Sequence, residues 1–299
     1  MRIARFLEAG RECHGVIRGD DVSDVSGSPE LAGGIPGLLA GGSRALAALH
    51  DAAARARRVP LADVRLLAPI ARPPKFLAIG LNYADHVKEA GLEPPTFPVF
   101  FNKQTTCVVG PGDAIHRPRV SALLDYEGEL GVVIGRRCRH VPAERAREVI
   151  GGYLVVNDVT VRDWQFKAPT MTLGKSFDTH GPIGPWLVTA DEIADPQDLR
   201  IRTWVNGELV QDASTREMIF GVAEQIATLS TAFTLEPGDV ISTGTPAGVG
   251  IVRKPMLLLK AGDVVRVEVE GVGAIENPVI DEPEDTAIGM IADEPGGPE

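Results

Sequence analysis

The sequence predicts a mainly β protein with some α, a barrel or sandwich rather than a doubly wound βαβ sheet. Three observations predict it. From residue 99 onward, short apolar segments recur with turn residues between them. Only a few stretches carry helical periodicity. The segment VNGELV sets Asn206-Gly207 between apolar flanks, a strong type I′ hairpin signal.

The chain opens with RIARFLE and HGVIRG, two short strands around the turn at Gly10. Residues 28–42 carry glycines and prolines and predict a loop. SRALAALHDAAARARR (43–58) is Ala-rich and predicts a helix with Ser43 as N-cap. VPLADVRLLAPI is extended. Pro69, Pro73 and Pro74 bias their predecessors away from helix, which places a domain boundary near residue 70. KFLAIGLNY is a buried strand ending in Asn82 and Tyr83. ADHVKEAG is a short helix closed by Gly91, and Glu93 to Pro98 is an irregular, proline-rich loop. Asn82–Pro98 together predicts a closing element, mobile without substrate. The strands PVFFNK, LDYEGELGVVIG, GYLVVNDVT, GPWLVT, LRIRTWVNGELVQ, DVISTG and DVVRVEVEGVGAIENPV follow, with helices at PAERAREVI (142–150) and MIFGVAEQIATLSTAF (218–233). The expected organisation is a small α+β N-terminal domain over 1–70, a larger domain over 71–280, and an acidic, disordered tail over 281–299.

Composition excludes several classes. A chain of 299 residues, 44% hydrophobic, can bury a sizeable core. Aromatics are only 5%, so that core is aliphatic. No stretch approaches the ~20 apolar residues of a membrane helix, and the start alternates charge with apolar residues too soon for a signal peptide. Cys13, Cys107 and Cys138 form no CxxC. They argue against a disulfide framework or a zinc-thiolate site and place the protein in the reducing cytoplasm. Seven acids fall within 281–299, which has no Lys or Arg, so the net charge of −11 is largely local. Nothing basic and extended suggests a nucleic-acid partner.

The most informative segment is LDYEGELGVVIG. Alternate residues of a strand face one side, so Glu127 and Glu129 point together. Gly128 leaves the other face bare, where another backbone can come close. Paired acids at a strand end are commonly solvated, but the apolar run LGVVIG puts this strand inside the protein. Parallel carboxylates there repel unless a cation sits between them. Asp158, after the apolar strand YLVVN, adds a third acid. Three carboxylates suit Mg²⁺ or Mn²⁺ and leave positions for water or a chelating substrate. Lys103, Arg162 and Lys175 are available to balance the charge. His86 and Glu89, three apart on a helix, share a face; the residues alone fit an ordinary helix N-terminal turn with a surface histidine, or a water-activating pair. GTPAGVG lacks the Lys-Ser/Thr of a phosphate loop. No GxGxxG links a strand to a helix, and there is no GxSxG nucleophile elbow.

IGLNYADHVKEAG, PVFFNKQTT, LDYEGELGVVIG, NDVTVRDWQ, GKSFDTHGPIGP, VNGELVQ and STGTPAGVG together resemble the fumarylacetoacetate hydrolase family, in the family's order and over roughly residues 75–280. The first 70 residues look like the small N-terminal domain of many bacterial members. The resemblance implies a mixed β-sandwich roll, usually a homodimer, with a Mg²⁺ or Mn²⁺ site on Glu127, Glu129 and Asp158. It places the family's water-activating pair on His86 and Glu89, and its substrate contacts on Lys103, Arg162, Gln165, Lys175 and Thr245.

A metal-chelated 2-oxo acid stabilises an adjacent enolate, which serves more than one reaction. The first expectation is hydrolysis of the C–C bond of an acylpyruvate or related 2,4-dioxo acid such as fumarylpyruvate, with Lys175 stabilising developing negative charge. The alternatives are isomerisation or decarboxylation of a related acid in aromatic-acid catabolism, and oxaloacetate decarboxylation. A catalytically silent metal- or ligand-binding module is a further alternative, but it would have no use for the His86-Glu89 pair; a purely structural protein, the last alternative, predicts no metal at all.

Overall fold

In a computed structural model, which describes residues 1–284, the chain folds into a twelve-stranded sheet, a five-stranded sheet and a two-stranded ribbon. The mainly β expectation holds. The 281–299 tail lies largely outside the described residues. The strands that carry the site are neighbours in the large sheet, in the order Ile150–Asn157, Gly128–Ile134, Val240–Ser242, Phe76–Gly80 and Val99–Lys103. Every residue of Gly128–Ile134 and Ile150–Asn157 is buried, as their near-continuous apolar runs require. Their register sets Gly128 opposite Asn157, so Glu127 and Asp158 flank the same end of the pair. No described helix is long and apolar enough to cross a membrane.

The second sheet runs Glu208–Ser214, Arg200–Val205, Val264–Val269, Gly273–Asp281 and Ile115–Arg117. The hairpin at Asn206-Gly207 forms with both residues at positive φ, 52° and 81°, as a type I′ turn demands. This sheet packs on the first at Gly128. A Cβ there would sit 2.2 Å from Thr203 Oγ1 and 2.9 Å from Val267 Cγ1. Side chains of the facing sheet, rather than another backbone, therefore use the space that Gly128 leaves.

Several local expectations are corrected. Residues 28–42 are not a loop: Pro29–Leu31 forms a 3-10 turn and Gly34–Ala40 an α-helix that buries Ile35, Leu38 and Leu39. The i, i+3, i+4 spacing of those three outweighs the glycines, and Pro36 stands in the first turn, where its missing N–H costs no helix bond. Ser43 is not an N-cap, because the next helix, Gly42–Arg55, starts directly from Gly41 at the end of the preceding one. PAERAREVI forms 3-10 turns over Ala143–Val149, and the later helix is confined to Val222–Ala232.

The prolines near residue 70 do not interrupt the sheet. Strand Arg2–Glu8 pairs antiparallel with Gly181–Thr189, Arg2 opposite Val188 and Ile3 opposite Leu187. Ile3, Val16, Leu38 and Leu49 share one buried cluster with Val133, Leu154, Val156, Ile183, Leu187 and Val240. Each fully buried side chain of this kind contributes roughly 1.5–3 kcal/mol. Deleting residues 1–70 would strip both that cover and a pairing partner from the large sheet. We expect the remaining fragment to aggregate on expression; a soluble fragment with a sharp thermal transition near that of the full chain would contradict this account.

Candidate metal centre

Glu127, Glu129 and Asp158 are all buried, and they offer carboxylate oxygens within 4.8 Å of one another. Local structure brings them together. Glu127 and Glu129 flank Gly128 at the start of one strand, and Asp158 follows the last residue of its neighbour. The Asp158 N–H donates to the Glu127 carbonyl at 2.8 Å, and the Asn157 side chain accepts from the Glu127 N–H at 3.1 Å.

The cations named from the sequence surround the acids. Lys175 Nζ donates to Glu127 Oε2 at 2.6 Å and to Asp158 Oδ2 at 2.7 Å. Arg162 Nη1 donates to Glu127 Oε1 at 2.6 Å and Lys103 Nζ to Asp158 Oδ1 at 2.6 Å. Breaking one buried pair of this kind costs about 3–5 kcal/mol, because the surviving charge stays desolvated. Lys103 also donates to the Lys175 carbonyl, has no exposed side-chain surface, and does not line the cavity over the acids. In this arrangement the Lys103 charge is engaged by Asp158 and the Lys175 carbonyl.

Glu129 has a different environment. Its Oε2 accepts from Ser242 Oγ at 2.6 Å and from the Gly244 N–H at 2.7 Å, and no ammonium or guanidinium pairs with it. Burial, and then the negative charges of Asp158 and Glu127, push its carboxyl well above the ordinary range. Burial pushes Glu127 up too, but Lys175 and Arg162 outweigh it and bring it down to about 2. Lys175 is pushed down by burial and raised above its usual value by Asp158 and Glu127. A divalent cation touching all three acids would remove the penalty on Glu129, since a bound ion inverts the local charge balance. The donor set, three carboxylates and no thiolate or imidazole, fits Mg²⁺ or Mn²⁺.

The cavity above the acids measures about 110 Å³ and is lined by His86, Arg162, Gln165, Lys175 and Thr245 as well as apolar side chains. His86 sits on the helix Ala84–Glu89, and its Nδ1 lies 2.8 Å from Glu89 Oε1. With Nδ1 engaged, Nε2 is the nitrogen left to work. The helix is seated on the body of the protein. Asn82 donates to the Phe220 and Thr243 carbonyls at 3.0 and 2.7 Å, and Glu89 Oε2 accepts from the Gly248 N–H at 2.9 Å. Gln165 accepts from Arg162 at 3.1 Å. The Thr245 hydroxyl donates to the Gly128 carbonyl at 3.0 Å and accepts from Gln211 at 2.8 Å. A larger hollow of about 550 Å³ lies far from this chemistry, beside Arg200, Arg202 and Arg266. Those arginines are already paired, with Asp212 and Glu268.

Sequence reasoning missed Asp125. It is fully buried, accepts from Arg162 Nε at 2.9 Å, and takes the Gly250 and Ile251 N–H groups at 2.8 and 2.9 Å. It fixes the guanidinium that holds Glu127. The only available signal was another acid two residues before Glu127. Ser242 and the backbone donors of the 244–251 loop were equally invisible, because backbone donors leave no mark in residue type.

The family model for the fumarylacetoacetate hydrolase C-terminal domain matches residues 75–280, and the Rv2993c-like N-terminal model matches residues 1–69. A Burkholderia multivorans protein named "Putative hydrolase" is 46% identical over 279 residues, covering 91% of this chain and 96% of that protein. The maleylpyruvate hydrolase of Sphingobium sp. SYK-6, solved with manganese(II) and pyruvate, is 32% identical with a TM-score of 0.80, over 95% of this chain and 100% of that one. The 2-hydroxyhepta-2,4-diene-1,7-dioate isomerase of Mycobacterium marinum is 36% identical with a TM-score of 0.76, over 95% and 100%. By these matches, over a fold and an acid cluster already apparent in its own residues, the chain belongs to the fumarylacetoacetate hydrolase family.

Proposed function

We propose that the protein is a Mg²⁺- or Mn²⁺-dependent hydrolase that splits the C3–C4 bond of an acylpyruvate. The observation that carries this reading is the His86–Glu89 hydrogen bond at the wall of a cavity that Glu127 and Glu129, two of the three clustered carboxylates, help to line. Binding alone needs no oriented imidazole; adding water does. The similarity to a maleylpyruvate hydrolase solved with manganese(II) and pyruvate supports the choice of acid and ion.

A divalent ion on Glu127, Glu129 and Asp158 would supply Lewis-acid polarisation of the 2-oxo acid end of the substrate. The chain's own residues do the rest. His86, oriented by Glu89, takes a proton from water as the oxygen adds to the C4 carbonyl. The C3–C4 bond then breaks, and its electron pair leaves on C3 as a pyruvate enolate. Protonation of C3 gives pyruvate, and the acyl half departs as a carboxylic acid. Lys175 faces the developing negative charge, and Arg162 Nη2, buried without a partner, is free to hold the substrate carboxylate.

The similarity to a diene-dioate isomerase favours a second reading, in which a 2-hydroxydiene acid loses its enol proton and the resulting dienolate is reprotonated at a chain carbon, with no C–C bond cut. Incubating the protein with Mg²⁺ or Mn²⁺ and a panel of acylpyruvates, 2-hydroxydiene acids and oxaloacetate, and following products by NMR, separates the readings. We expect pyruvate and a carboxylic acid from the acylpyruvates, no turnover with excess chelator, and joint loss of metal and activity in Glu127→Ala. Isomerised diene without any hydrolysis would overturn the first reading.

His86→Ala should lower hydrolysis by ~10²–10⁴-fold, the usual contribution of a general base, with metal affinity nearly unchanged. Glu89→Ala should also lose activity, because the imidazole is no longer held. Oxaloacetate decarboxylation needs no attacking water, so any such activity should survive His86→Ala better. Full hydrolysis in His86→Ala would remove the histidine from the mechanism and leave the metal site standing.

We further propose the symmetric homodimer that the resemblance implies. Light scattering should give twice the 31.8 kDa chain mass at micromolar concentration; a monomer mass there would refute it.

A further inference from the structure

The cavity over the acids is chemically two-sided. Its floor is ionic: Glu127, Glu129, Arg162 and Lys175. Away from that floor it is lined by the apolar Leu81, Leu92, Phe166 and Met171, with the neutral Gln165 amide beside Met171, while Phe101 lies under the Lys175 ammonium. Arg162 and Lys175 are the cations that line it among the described residues, and both are anchored at the floor. Lys175 spans Glu127 and Asp158, and Arg162 spans Asp125 and Glu127. The buried Arg162 nitrogen without a partner belongs to the same floor, one atom away from the nitrogen that holds Glu127. Lys167, the next cation along the chain from Phe166, lays its ammonium 3.6 Å from the Trp164 ring centroid instead. At the mouth, Leu92 is 51% and Phe166 75% exposed, large apolar surface that a matching ligand end would cover.

We infer that the enzyme is specific for acylpyruvates whose acyl group is uncharged and apolar, rather than for dicarboxylic ones. The inference deepens the acylpyruvate reading and rests on it for the orientation of the substrate, 2-oxo acid end down on the ionic floor. In that orientation the far end of the chain meets Leu81, Leu92, Phe166 and Met171. A methyl group there gains contact. A carboxylate there loses part of its water and meets no Lys or Arg among the described residues, only the neutral Gln165 amide, which offsets less than a full charge partner would. Even one methylene in an apolar pocket changes kcat/KM by about 10–200-fold, so a charge in place of a methyl should matter at least as much.

Two acids of the same length isolate this term. Fumarylpyruvate ends in a carboxylate, and crotonylpyruvate carries a methyl group in its place. With the Mn²⁺-loaded wild type we expect kcat/KM for crotonylpyruvate to exceed that for fumarylpyruvate by tenfold or more. Leu92→Arg puts a cation at the exposed mouth and should shift that ratio toward fumarylpyruvate by at least tenfold, with the melting temperature unchanged. Calorimetric Kd values for both acids on Mn²⁺-loaded His86→Ala measure the same preference without turnover. Tighter binding of crotonylpyruvate with no hydrolysis by the wild type would overturn the hydrolase reading and leave the apolar pocket standing. Equal or better binding and turnover of fumarylpyruvate would overturn the pocket inference and leave hydrolysis standing. Failure of both acids to bind would overturn both.

Discussion

Five acids, Asp125, Glu127, Glu129, Asp158 and Glu89, converge at one end of the large sheet, and a single loop meets three of them. Between Ser242 and Ile251 the backbone presents Gly244 to Glu129, Gly248 to Glu89, and Gly250 and Ile251 to Asp125. Ser242 adds its hydroxyl to Glu129. A buried carboxylate must find donors or take up a proton, so these N–H groups, together with Lys103, Lys175 and Arg162, allow so much like charge to sit together. The loop can lie this close only because it is rich in glycine. At Gly248 a Cβ would stand 2.1 Å from the Val210 carbonyl oxygen, and φ is 106°, a conformation other residues rarely adopt. The stretch that is not a phosphate loop is instead the inner wall of the acid site.

The distribution of positive charge follows from the same constraint. Lys103 and Lys175 each sit against two polar partners and Arg162 against three, and together they pair Glu127, Asp158 and Asp125 while leaving Glu129 to neutral donors. Glu129 is therefore the acid with most to gain from a divalent ion. Arg162 and Lys175 are each held by two buried acids. The cavity thus combines ionic and apolar lining residues in one small space.

The N-terminal segment takes part in this arrangement at a distance. Its strands extend the sheet beyond Gly181–Thr189, and its helices cover Val133, Leu154 and Val156 on the strands that carry Glu127, Glu129 and Asp158. Packing at interior density leaves those strands little room to shift. The segment touches none of the acids, yet it is part of the rigid frame that keeps them in register.

The residue pattern by itself determined the local features. Glu127 and Glu129 bracket one glycine, Asp158 ends an apolar run, and His86 and Glu89 stand one helical turn apart. Each relation spans at most three residues or depends on a strand end, where sequence spacing is spatial spacing. The Asn206-Gly207 turn was legible for the same reason. Only the tertiary structure decided which acids and cations meet. Lys103 and Asp158 are 55 positions apart and Ser242 and Glu129 113, so their pairing depends on strand order. Asp125 looks like any acid until Arg162 and the Gly250 backbone close around it. The helix Gly34–Ala40 was hidden by its glycines and proline, because local propensity there is weaker than the burial of Ile35, Leu38 and Leu39. Whether a lysine faces a ligand or stands behind an acid is set by which side of the sheet its neighbours fill, and no residue spacing encodes that.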